Sequence, residues 1–218
     1  MISVLYGGLA LIQLALAVRL ARSGRWIAFA VATGVAYDSA VVGAGRLIGE
    51  GPGLEALNTG RFAVHAILTP LLIVHGAALV RRGLVVPAWG LAGALIVFEL
   101  VGLADLRLEP RWWSDTLRYV SMETHGPPIP ALVTTVILLV VGIVLWARWR
   151  TPWLFLGAAA LLATAGAAVA LPILGNAGEA VLLGAIAATG DRHGGRGAAG
   201  VHPELRRDGR RRSSGSAR

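Results

Sequence analysis

The 218-residue chain contains no cysteine and no lysine. Without cysteine there are no disulfides, thiolate metal centres or cysteine nucleophiles. Without lysine no Schiff base can form, so a seven-helix count cannot mean a retinal protein. No amine side chain is available as an acid or base either, because all 20 basic residues are arginine, which does not deprotonate in proteins. Charge of any kind is sparse, at 15% of residues against 56% hydrophobic. That balance lies outside the soluble globular range and inside the membrane range. Strand-like alternation is absent, while glycine and alanine are abundant within the apolar runs, so helices are implied rather than a transmembrane barrel. There is no Asp-Asp-x-x-Asp diphosphate site, no His-Glu-x-x-His motif and no glycine-rich phosphate loop.

What remains is an all-α pattern of apolar runs near twenty residues long, which match a hydrocarbon core at 1.5 Å per helical residue. They predict seven transmembrane helices, at Ile2–Leu20, Trp26–Ile48, Phe62–Val80, Leu84–Ala104, Ile129–Trp146, Trp153–Leu171 and Ala177–Thr189. Prolines mark several starts, where the first amides have no helical partner to lose. The bundle occupies residues 1–190, and residues 191–218 form a disordered, arginine-rich cytoplasmic tail. That tail holds eight arginines against three acids, a net charge of +5 out of +8. The basicity is therefore a tail property suited to anionic lipid headgroups, and it does not indicate nucleic acid. The first run starts at Met1-Ile2 and its arginines follow it, as in an uncleaved helix inserted N-terminus outward.

The arginines also predict orientation. Connections after the first, third and fifth helices carry Arg19, Arg22, Arg25, Arg81, Arg82, Arg148 and Arg150 without an acid. The even connections mix arginine with acids or carry no charge. This alternation expects odd connections and the C-terminus in the cytoplasm of a multi-pass cell-membrane protein. Trp26, Trp146, Trp149 and Trp153 at one set of ends, with Trp112 and Trp113 at the other, match interfacial anchoring.

Ionisable side chains inside spans are costly, so each is a candidate for function. The second helix carries Tyr37 and Asp38, and the fourth carries Glu99. Asn58, Arg61, His65 and Thr69 follow at steps of three and four and share one face of the third helix. Asn176 and Glu179 share a face of the seventh. In the expected topology these groups fall in the outer half, with Tyr119, Glu123 and His125 of the long fourth connection at the same level. One outward-facing polar pocket accounts for them. Asp38, Glu99, Glu179 and His65 are the expected catalytic groups, and Tyr37, Asn58, Arg61, Tyr119, Glu123, His125 and Asn176 the expected substrate contacts. The alternative is simple ion pairing, Asp38 with Arg46 and Glu99 or Glu179 with Arg61. His75 is expected to make an interhelical hydrogen bond.

A carboxyl in an apolar chamber can stay protonated and act as a strong acid, with a second carboxylate or His65 receiving a proton. The π faces of Tyr37 and Tyr119 would steady cationic charge. Such a set suits protonation of an alkene or epoxide. In length, helix count and the placing of acids on an early and a late helix (Asp38, Glu179), the chain resembles the small seven-helix membrane terpene cyclases of meroterpenoid pathways. That resemblance implies acid-initiated cyclisation or isomerisation of an isoprenoid or lipid substrate, with membrane lipids as surroundings and no cofactor. A metal-dependent lipid hydrolase of the ceramidase type, built on His65, His125 and Asp38, is the nearest rival, although close metal-ligand spacings are missing and no metal is expected. A transporter or assembly subunit is the other class, without the inverted repeats many transporters show.

Overall fold

The computed structural model describes residues 1–122 and 128–198, with side chains through Thr189. It contains seven helices: α1 (Ile2–Arg22), α2 (Trp26–Ile48), α3 (Pro52–Val80), α4 (Val85–Gly102), α5 (Ile129–Trp149), α6 (Trp153–Ala167) and α7 (Ile173–Ala198). The first five, α4 together with its leading turn, are long and apolar enough to cross a membrane, which makes this a multi-pass membrane protein. At 1.5 Å per residue, α6 spans only about 22 Å and the apolar stretch of α7, Ile173–Thr189, about 25 Å.

Six helices close a ring in which α1 packs on α2, α2 on α3, α3 on α5, α5 on α6, α6 on α7 and α7 on α1. Helix α4 lies outside, against α3, and buries little beyond Ala88 and Ala92. The main apolar core joins Leu20, Leu72, Leu145, Leu154, Leu183 and Ile186. It sits toward the end where Arg25 donates to the carbonyls of Ile186 and Ala187 at 3.0 and 3.1 Å. The opposite end of the ring is where polar side chains gather.

The helix bounds differ most from expectation in α3 and α7. Helix α3 begins at Pro52, not Phe62, and its 29 residues run about 43 Å, well beyond a hydrocarbon core. Proline suits the first helical position, and Gly51 before it holds φ at +151°, a value that glycine tolerates. The polar early turns (Glu55, Asn58, Thr59) conceal the helix from hydropathy. Leu54, fully buried against Val41, Leu117 and Tyr119, is the tertiary contact that fixes them. Helix α7 starts at Ile173 and continues to Ala198, into the segment expected to be a disordered tail.

The fold is also not purely helical. Within the fourth connection, β1 (Leu108–Trp113) and β2 (Thr116–Ser121) form an antiparallel hairpin with Trp113 opposite Thr116. Short alternation between charged residues had no apolar run to make it visible. The hairpin packs on α2 where Gly45 leaves no side chain, since a Cβ there would lie 1.8 Å from the Leu117 carbonyl oxygen. Gly45→Ala is accordingly expected to push the hairpin off α2 and to cost at least the 1–3 kcal/mol typical of overpacking. Gly53→Ala, with open space around it, should not. Thermal unfolding in detergent compares the two, and equal midpoints would mean that the hairpin is not held there.

The hairpin turn also caps α1. Asp115 accepts the Ile2 and Ser3 amides at 2.8 and 3.3 Å, pairs with the Met1 ammonium, and receives the Ser3 hydroxyl on its carbonyl at 2.7 Å. The ammonium hydrogen bond, with the backbone donors, holds the Asp115 carboxyl down at about 2 from an ordinary 3.8. A depressed carboxyl stabilises the fold above its ordinary value and loses that contribution as pH falls toward about 2. The unfolding midpoint should therefore drop between about pH 4 and pH 2, and Asp115→Ala should flatten that drop.

Candidate functional site

At the hairpin end of the ring, three helices bring their polar residues to one place. Asp38, midway along α2 and 4% exposed, accepts from Arg61 Nε of α3 at 2.6 Å and from Asn176 Nδ2 of α7 at 2.5 Å. Asn176 Nδ2 also donates to Ser39 Oγ at 3.0 Å, and Gln13 of α1 donates to the Asn176 carbonyl at 3.1 Å. Arg61 is steadied from its other side, its Nη1 donating to Asn58 Oδ1 at 2.5 Å. Asn58 Oδ1 also accepts the Tyr119 amide at 3.2 Å, tying the hairpin to the cluster. The i, i+3 and i, i+4 spacing of Asn58, Arg61 and His65 places them on one side of α3.

His65 stands between two carboxylates. Its Nε2 lies 3.5 Å from Asp38 Oδ1, and its Nδ1 lies 3.9 Å from Glu179 Oε1. Suitable ligand atoms of Asp38, His65 and Glu179 all fall within 4.8 Å of one another. These groups open on a cavity of about 360 Å³, in the usual range for small-molecule sites. Asp38, Arg61, His65, Glu99, Asn176 and Glu179 form its polar wall. Phe62, Ala66, Pro70, Leu103, Pro130 and Ala131 form much of the rest. Pro70, inside α3, has no amide for the Ala66 carbonyl, so the helix is locally short of one bond beside the cavity.

Of the residues expected from the sequence, Asp38, Arg61, His65, Glu99, Asn176 and Glu179 meet at this cavity. Asn58 stands behind Arg61 as a buried support. Tyr37 and Tyr119 do not line the cavity. The Tyr37 hydroxyl donates to the Leu57 carbonyl at 2.8 Å, bracing α2 on α3, and the Tyr119 hydroxyl accepts the Gly51 amide at 3.1 Å. Glu123 and His125 lie outside the described residues. Asp38 pairs with Arg61 rather than Arg46, and Glu179 makes no ion pair with an arginine among the described residues. His75 is buried, but its Nε2 makes no hydrogen bond among the described residues, contrary to expectation.

Three contributors were not anticipated. Gln13, the one polar side chain in the middle of α1, carried a readable signal. Ser39, next to Asp38, carried a weaker one. Phe62 is the aromatic on the cavity wall, and nothing in its sequence context separated it from core.

Compared with known proteins, the chain matches no family model, no curated protein and no solved structure.

Proposed function

We propose that this chain is a membrane enzyme acting on an isoprenoid or other lipid substrate, in which the His65–Glu179 pair moves the proton that starts an isomerisation or cyclisation. The observation that carries this reading is His65 held between two carboxylates on the polar wall of a cavity whose other wall is apolar. An apolar wall excludes water and seats a hydrocarbon, and a low dielectric strengthens charge stabilisation at the reacting carbons.

The roles within the cluster follow from the bonding. Both oxygens of Asp38 accept donors, so Asp38 serves as the fixed anion that orients Arg61, Asn176 and His65 rather than as the proton donor. Glu179 makes no hydrogen bond to a fixed donor among the described residues, and its carboxyl faces the cavity. It is the group placed to protonate an alkene or epoxide, with His65 receiving the proton that the cationic intermediate later sheds. One proton enters the substrate and one leaves, so the reaction needs neither oxidant nor reductant. With Tyr37 and Tyr119 away from the cavity, the Phe62 ring is the π face placed to steady cationic charge.

Two features favour an enzyme over a transporter or a merely structural cluster. The packed apolar core fills the other end of the bundle, which suits a pocket more than a path. Glu179, lacking an arginine partner among the described residues, is not explained by ion pairing. The proposal places all seven helices across the cell membrane, with the hairpin outside and the arginine-rich connections and tail in the cytoplasm, as positive charge favours. Incubating membranes that contain the protein with polyprenyl alkenes, epoxides and quinol conjugates, with products read by mass spectrometry, tests it. Conversion to an isomer of unchanged mass is expected. Failure across that set, or a product carrying added water, would reject the proton-initiated reading.

A further inference from the structure

We infer that Asp38, His65 and Glu179 together form a binding site for one divalent transition-metal ion of the zinc type. The inference uses the same cluster as the proposed function but does not depend on that activity.

The donor set comes first. One imidazole and two carboxylates, without thiolate, suit zinc and its first-row neighbours better than calcium, which takes six to eight oxygens. Metal–ligand bonds of about 2.0–2.2 Å put neighbouring ligand atoms roughly 3.3–3.6 Å apart in a tetrahedron. His65 Nε2 and Asp38 Oδ1 already stand at 3.5 Å. One ligand atom from each of the three residues falls within 4.8 Å of the others, and because Glu179 now meets the other ring nitrogen, Nδ1, it must swing toward the Nε2 side to complete the site. Its side chain faces the cavity and forms only the 3.9 Å contact with His65, so a change of rotamer breaks no hydrogen bond among the described residues.

The pairing of Asp38 with Arg61 does not block this site. A carboxylate offers about four lone-pair positions, of which Arg61 and Asn176 occupy two, one on each oxygen. Those donors hold the carboxylate plane as outer partners do for metal-ligating acids. Asn58 behind Arg61, and Ser39 with Asn176, extend that support. The backbones of the three ligands belong to α2, α3 and α7, which pack together pairwise as α2 with α3 and α2 with α7. Charge agrees as well. Asp38 and Glu179 bring two negative charges against the single positive charge of Arg61, in a place where water screens poorly. A proton on His65 cancels that single excess negative charge, and a divalent ion in place of the proton leaves a single excess positive charge instead, no larger in magnitude. With three protein ligands, the fourth position would open on the cavity, the arrangement of a zinc ion that polarises a substrate oxygen.

The test needs no substrate. The full chain, purified in detergent and stripped with chelator, is titrated with Zn²⁺ and assayed by calorimetry and by metal analysis after gel filtration. About one zinc per chain is expected, with a raised unfolding temperature, since a ligand of the folded state stabilises it. Glu179→Gln and His65→Ala should weaken zinc binding at least tenfold. His193→Ala with His202→Ala, which removes the tail histidines, should leave it unchanged. No stoichiometric zinc on the folded chain would overturn the inference, and so would uptake that survives the two ligand variants or disappears with the tail pair. Metal on His65 and Glu179 would occupy the pair proposed to move the proton, so the product assay is run separately on chelator-treated, metal-free protein.

Discussion

Asp38→Ala is expected to destabilise the protein by about 3–5 kcal/mol, because it strands the Arg61 guanidinium in the bundle without its counter-ion. The Arg61 side chain is only 13% exposed, so water cannot replace the carboxylate. Asn176 loses its acceptor in the same step, and with it one bond between α7 and α2. The mechanism makes a second expectation possible. Replacing both partners, Asp38→Ala with Arg61→Leu, removes the stranded charge and should restore most of the loss, since apolar replacement of a buried pair is often neutral. Denaturation of the purified single and double variants decides the matter. A single variant as stable as the parent would show that the pair carries no structural weight. Activity should be lost in both variants, because His65 loses the anion that orients it.

Glu179→Gln is expected to do the opposite, leaving the fold intact while lowering turnover on an accepted substrate by roughly 10²–10⁴-fold, the usual worth of a positioned acid or base. Glutamine keeps the volume and polarity but cannot give up or hold the proton. Glu179 makes no hydrogen bond to a structural partner among the described residues, so the variant's unfolding free energy should stay within about 0.5 kcal/mol of the parent's. Because the loss sits in the chemical step, kcat should fall with little change in KM. A KM effect alone would make Glu179 a binding group, and full activity would move the acid elsewhere on the wall, with Glu99 the remaining carboxyl there.

The stripe Asn58, Arg61, His65 was legible on the sequence because helical spacing alone puts those residues on one side of a helix. Alternating helices led to the expectation that Asp38, Asn176 and Glu179 lie at a similar depth, but depth alone does not turn side chains of different helices toward one another. Two expected substrate contacts, Tyr119 on the hairpin and Tyr37 on α2, do not line the cavity. Tyr119 was placed by level in the bundle, but its ring belongs to the packing between hairpin and α3, and its hydroxyl to the Gly51 backbone. Tyr37 neighbours Asp38 in the chain, yet one step along a helix turns the side chain by about 100°, away from the cavity and toward Leu57. Partner choice was equally hidden. Asp38 and Arg46 share a helix two turns apart, whereas Arg61 reaches Asp38 from α3.

From the sequence alone came the solvent and the class: a chain this apolar, with so few charges and runs of this length, must satisfy its backbone internally as membrane helices. The exclusion of thiol, amine and retinal chemistry came from it too, since a missing residue type is missing in any fold. Tertiary structure decided the hairpin, the early start of α3, which arginine meets Asp38, and the convergence of Asp38, His65 and Glu179. Those depend on side chains from distant segments approaching within a few ångströms, and periodicity along one helix carries no information about its rotation against another.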